Sequence, residues 1–232
     1  MSDDRKRCAA TLHNAGCSVH LVTPETLSNW IVPDAPLHPA FDLLSAVHKS
    51  DYLRAYFMHH HGGGYSDVKE TRESWLPAFE RLDANLNAFA IGYPEQRGKW
   101  ISHFHRHPLH GQSYYLDQPT SARANGLRHR WLRHCRRYLI GNGAYIFRHH
   151  TAFTAEWMRQ IHFRLDLVSD ALRLHPARDP RDAPGHPLPG EGPSRYPLPW
   201  SAICADVLHP LEYRHRGRFL HGVPTPNLKN YR

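Results

Sequence analysis

The chain has 232 residues, a formal net charge of +8 with histidine neutral, and 41% hydrophobic residues, among them six Trp and eleven Tyr. That length buries a substantial core, and the aromatic content argues against a disordered chain. No apolar run approaches the roughly 18 residues that a bilayer span needs, and the opening MSDDRKRCAATL is no signal peptide, so a single domain, residues 1–232, is expected in the cytoplasm.

Taken in order, the sequence predicts a helix over 3–14, a strand over 18–23, a short helix over 24–30 and one or two helices over 38–61. Within the last of these, Ser50 is the expected N-cap, and Leu53, Tyr56, Phe57 and His60 form the expected buried stripe. A short strand or turn follows over 65–68, then strands over 88–93 and 144–148. Thr151 or Thr154 can cap a long helix to about Leu174, with Trp157, Ile161, Leu165, Val168 and Leu172 facing the core. Alternating helix and strand signals give an α/β domain.

Two segments interrupt this pattern. Residues 121–137 read as a basic helix with Arg123, Arg128, Arg130, Arg133, Arg136 and Arg137 around Leu127, Trp131 and Leu132. It is either a solvated helix or a surface for anionic lipid or a polyanionic glycan. Residues 176–199 hold eight prolines and read as a surface loop, either a lid or acceptor loop or a passive linker. Four scattered cysteines form no C-x-x-C pair and are expected to be reduced. The 21 histidines show no H-E-x-x-H or other paired-ligand spacing, so solvated or satisfied core histidines are expected in preference to a metal site.

Chemistry concentrates in HKSDYLRAYFMHHHGGGYSDVKET at 48–71. Asp51 and Arg54, three apart on a helix, share a neighbouring face, and the glycines end the helix and let backbone approach a bulky ligand before Asp67 is presented. By themselves Asp51 and Arg54 read either as a helix-surface ion pair or as a binding pair, since one carboxylate can accept from two hydroxyls while a guanidinium donates in a fixed fork.

The run Ser50, Asp51, Arg54, Gly63, Gly64, Tyr65, Asp67 resembles the glycosyltransferases whose sugar-binding region contains an Asp-x-Asp motif, and within them the bacterial capsular polysaccharide synthesis proteins. LIGNGAYIF at 139–147, TAFTAEW at 151–157, YPLPW at 196–200 and DVLHP at 206–210 resemble the same family in the same order. The resemblance implies a GT-A fold, a Rossmann-like mixed sheet between helices. It implies transfer of a sugar, with retention, from a nucleotide-sugar donor (a UDP-sugar first) to a glycan or lipid-linked acceptor of capsule or other surface polysaccharide. It assigns Asp51, Arg54, Tyr65, Asp67, Lys69 and His209 to substrate binding and Asp67 and Asn142 to catalysis.

By the same resemblance a divalent cation, Mn2+ or Mg2+, would be held by Asp67; Lys69 stands where the pattern has a second acidic residue and offers a positive charge near the phosphates. In the resembling proteins a strand precedes the first helix, so this chain is expected to lack the first strand. Peripheral contact with the anionic inner membrane surface is a further expectation. The alternatives are a non-catalytic protein binding a polyanion or nucleic acid, though no specific nucleic-acid signature is present, and a degenerate transferase serving as a binding subunit.

Overall fold

The computed structural model describes residues 3–227. Its framework is a four-stranded mixed sheet built from β1 (Gly63–Ser66), β2 (Ala90–Pro94), β5 (Ile140–Phe147) and β8 (Phe219–His221), in the order β1-β5-β2-β8. Between β2 and β5 lies the hairpin β3 (Ser113–Tyr115) and β4 (Gln118–Thr120), and later the short pair β6 (Pro187–Leu188) and β7 (Gly192–Pro193). Strand β5 runs antiparallel to both β1 and β2, and β2 runs parallel to β8.

Helices α1 (Asp3–Ala10), α2 (Ala46–His60), α3 (Leu76–Asp83), α4 (Ala122–His134), α5 (Ala152–Leu174) and α6 (Ala205–Arg214) surround the sheet. The expected mixed α/β class is therefore present.

Side chains along β5 alternate between the two faces, as a strand requires. Tyr145 and Phe147 join the main core with α2 and α5, while Ala144 and Ile146 pack on the other face with Trp75, Ala78 and Leu82 at α3. Helix α5 carries the stripe expected of it: Trp157, Ile161, Leu165, Val168 and Leu172 are all fully buried. Both threonines take part in its cap, because the Thr151 hydroxyl accepts from Thr154 N while Thr154 Oγ1 accepts from Thr151 N. A third cluster, Ile101, Phe104, Leu132 and Leu139, fixes α4 beside the sheet.

Four local expectations need correction. Helix α2 is capped by Ser45, whose hydroxyl accepts from His48 N at 3.3 Å, and Ser50 is exposed inside the helix. Its buried face runs through His48, Asp51, Tyr52, Ala55, Tyr56 and Met58, so of the expected stripe only Tyr56 is fully enclosed. Residues 18–23 form no strand; no neighbour offers them a ladder, and Val19 and Leu21 are exposed. On α4, Leu127 and Trp131 face solvent and the buried side is Asn125, His129 and Leu132. The 176–199 segment is a loop holding the β6-β7 pair, and its end re-enters the core through Tyr196 and Leu198. No helix among the described residues is long and apolar enough to cross a membrane.

Candidate functional site

Helix α2 delivers Asp51 and Arg54, the turn after β1 delivers Asp67 and Lys69, and β5 crosses both with Gly141, Asn142 and Gly143. Register places them together: Ser66 pairs with Ala144, and Asp67 N donates to Gly143 O at 2.8 Å.

Arg54 is the hub. Its Nη2 lies 3.0 Å from Asp51 Oδ1 and 4.0 Å from Asp67 Oδ1, its Nη1 donates to Asn142 O at 3.1 Å, and its guanidinium stacks over the Tyr65 ring at 4.6 Å. The Tyr65 hydroxyl donates to Asp67 Oδ1 at 2.8 Å, and Lys69 Nζ stands 3.4 Å from Asp67 Oδ2. Asp67, with 18% of its side chain exposed against 6% for Asp51 and 10% for Arg54, is the most open member of this charged group.

Burial dominates the electrostatics. It pushes the Asp51 carboxyl above its ordinary range, against the opposing pull of Arg54 and His48. Burial also works against the charge of Arg54, yet Tyr65, Cys204 and Asp51 hold its pKa well above the usual value, so it stays a cation. The Tyr65 and Tyr145 phenols are pushed up by burial and remain neutral donors.

The glycines of β5 make room for this arrangement. A Cβ on Gly141 would fall 2.0 Å from Tyr93 Cζ, and one on Gly143 would meet Tyr93 Oη at 3.2 Å and Asp67 Oδ2 at 3.4 Å. Tyr93 in turn accepts from Gly143 N at 3.3 Å, tying β2 to the same spot.

The site also contains residues that the sequence did not single out. Asn142 Nδ2 contacts Cys204 Sγ at 3.6 Å, and the Cys204 thiol, raised by burial and so kept protonated, hydrogen-bonds Asp51. His48 supports the turn beneath them: its Nε2 bonds Pro199 O at 3.1 Å and its Nδ1 faces Ser45 Oγ at 2.9 Å and Tyr196 Oη at 3.0 Å. This is how the YPLPW segment reaches the site. Neither an isolated cysteine nor a tyrosine on a central strand carries a spacing that would mark it.

Three buried polar atoms of the cluster, Arg54 Nε, Asn142 Oδ1 and Tyr145 Oη, have no hydrogen-bond partner among the described residues. Leaving such atoms unsatisfied costs about 1–3 kcal/mol each.

His209 belongs elsewhere. It accepts from Ser102 N at 3.1 Å through Nδ1, its Nε2 is buried with no partner among the described residues, and burial lowers its pKa to about 4. Its neighbour Asp206 receives hydrogen bonds from Ser102, Ser201 and His107, which hold it down at about 2 despite burial. The carboxylates Asp117 and Glu156 share Arg159 in a surface network at 2.8 Å each and lie outside the cluster.

The side chains around Asp67 do not fit a divalent cation. Hard ions such as Mn2+ and Mg2+ take several oxygen ligands, whereas Asp67 faces Lys69, Arg54 and a donating Tyr65, and Asp51 is already held by Arg54. The ion implied by the family resemblance therefore lacks a donor set here. Compared with family models, curated proteins and solved structures, the chain matches none.

Proposed function

We propose that this cluster is the donor site of a glycosyltransferase of GT-A architecture, moving a sugar from a nucleotide-sugar to a capsule or other surface-polysaccharide acceptor. The observation that carries the reading is the convergence of Asp51, Arg54, Tyr65, Asp67 and Asn142 around unsatisfied buried polar atoms. Asp51 and Arg54 are preorganised by burial to bind sugar hydroxyls. Asp67, the more open carboxylate, takes the sugar or the ribose.

Transfer breaks the bond from the anomeric carbon to the diphosphate and forms one to an acceptor hydroxyl, whose proton passes to the departing diphosphate. The negative charge left behind needs a positive group aimed at it. Lys69 and Arg54 supply that charge from the protein itself. In a retaining reaction of this kind no carboxylate is required opposite the acceptor, in keeping with the placement of Asp117 and Glu156 on the surface.

Calorimetric titration with UDP-, GDP- and CDP-sugars, with and without Mn2+, tests the reading. Asp67→Asn should weaken donor binding by about tenfold or more, equivalent to about 1.4 kcal/mol. Unchanged donor binding and turnover in that variant would overturn the assignment.

A second reading concerns α4. A cleft of about 390 Å³ is lined by Gly98, Lys99, Arg130, Arg133, His134 and Arg136, with no carboxylate among them. Leu127 and Trp131 stand exposed on the same helix. That combination suits an anionic surface, which for the transferase would be the membrane carrying its acceptor.

A further inference from the structure

Beside α4, three histidines converge. His103 and His105 flank Phe104, which is 2% exposed and anchors the short turn Phe104–Arg106 in the core packed against α4. His129 comes from α4 and is itself buried. Ring centroids lie 4.6 Å apart for His103 and His129, 4.7 Å for His105 and His129, and 5.6 Å for His103 and His105. One ring nitrogen from each falls within 4.8 Å of the other two.

Each ring has a nitrogen to offer. His129 Nδ1 lies 2.8 Å from Ser102 O, a contact only a donor can make, which fixes the tautomer and leaves the Nε2 lone pair free. The Nδ1 atoms of His103 and His105 are buried with no hydrogen-bond partner among the described residues. Ser102 is itself held, its N donating to His209 and its hydroxyl to Asp206. An imidazole whose second nitrogen is tied to a carbonyl, with that carbonyl's residue tied in turn, is how a protein aims a metal ligand.

We propose that His103, His105 and His129 form a three-nitrogen site for a borderline divalent transition ion, Zn2+ first. The all-imidazole set disfavours Mg2+ and Ca2+, which take oxygen, and three protein ligands leave a position open for water or another ligand. Burial, the first cause in each case, lowers the pKa of all three rings and so favours the neutral, lone-pair form. Arg106 and Arg133 oppose a cation here and Asp206 favours one, so affinity rests on the nitrogens more than on the field. The site is independent of the donor-site reading. A bound ion would pin the turn Phe104–Arg106 to α4 and remove two orphaned nitrogens from the interior.

The test uses untagged, metal-stripped full chain titrated with Co2+, read by its visible d–d absorption, and with Zn2+ by calorimetry. One equivalent with the intense bands of a four-coordinate site, three nitrogens and one exchangeable ligand, is expected. His103→Gln and His105→Gln should each weaken binding about tenfold or more with unchanged urea unfolding of the metal-free protein. His59→Gln, in the other histidine group His59, His60 and His150, should leave it intact. Failure of the wild type to take up one equivalent, binding unaffected by both His103→Gln and His105→Gln, or loss on His59→Gln instead would each overturn the proposal. If one of the two site variants fails to fold, the other decides.

Discussion

Arg54→Met is the sharpest probe of the central cluster. The substitution keeps the length and apolar stem of the side chain and removes the guanidinium that lies 3.0 Å from Asp51, 3.1 Å from Asn142 O and over the Tyr65 ring. Asp51, 4% exposed, then loses the cation that pairs with it. Removing one partner of a buried pair costs about 3–5 kcal/mol, because the remaining charge is uncompensated. The lost stacking on Tyr65 adds about 0.5–2 kcal/mol.

Neutralising the orphan as well should recover most of the pair term, so Arg54→Met with Asp51→Asn is expected to be more stable than Arg54→Met alone by about 2 kcal/mol or more. The pH dependence follows from the raised Asp51 pKa. A carboxyl whose folded value exceeds its unfolded one contributes stability below the ordinary carboxylate range and loses it as pH rises. Without Arg54 that folded value climbs further, so the deficit of Arg54→Met should grow from about pH 4 to about pH 7. Urea unfolding followed by tryptophan fluorescence measures each term. A deficit under about 1 kcal/mol at pH 7, or a double variant as unstable as the sum of the two singles, would refute the reasoning.

Other expectations are simpler. Gly141→Ala drives a methyl into the Tyr93 ring and should cost at least the 1–3 kcal/mol typical of overpacking, while Gly126→Ala, with nothing within 4 Å on α4, should gain about 0.5–1 kcal/mol; thermal melts compare them. Glu212 is fully buried, and burial, then Glu95, holds its pKa well above normal against a backbone hydrogen bond from Ile140. Its contribution is therefore full below about pH 4.5 and is lost as pH rises, so the Tm advantage of Glu212→Gln should widen from about pH 5 to about pH 8; a constant offset would contradict this. Replacing Arg130, Arg133 and Arg136 by Gln should lower sedimentation with acidic vesicles on the order of a hundredfold, at about 1 kcal/mol per basic residue; equal binding of the parent protein to neutral vesicles would dismiss membrane docking.

What the sequence disclosed and what it withheld divide along physical lines. Helix α5 was legible because five core residues repeat at helical spacing from Trp157 to Leu172 within a 23-residue helix, and a long regular period survives any tertiary context. The α2 cap was not: Ser45 and Ser50 both precede helical patterns, and Ser45 wins through its extended backbone and an additional bond to the His48 ring. Residues 18–23 alternate as a strand would, but a strand exists only where another offers hydrogen bonds, and that partner is a tertiary fact.

The site divides the same way. Asp51, Arg54, Tyr65 and Asp67 lie in one short run whose helix-glycine-strand geometry folds it back on itself, so their meeting could be anticipated. Tyr93 and Tyr145 arrive through the strand register of β5 against β1 and β2, and Cys204 arrives from the N-cap of α6. Lys69 acquires its meaning from the same register. In sequence it interrupts an acidic motif; in the fold it stands 3.4 Å from Asp67. Two carboxylates and two cations interleaved in this way leave no local excess of negative charge to recruit a divalent ion, yet they place permanent positive charge beside the carboxylate proposed to hold the donor. Preorganised cations of that kind need no reorganisation as phosphate charge develops, which is the condition under which a protein side chain can replace a metal in stabilising a leaving diphosphate.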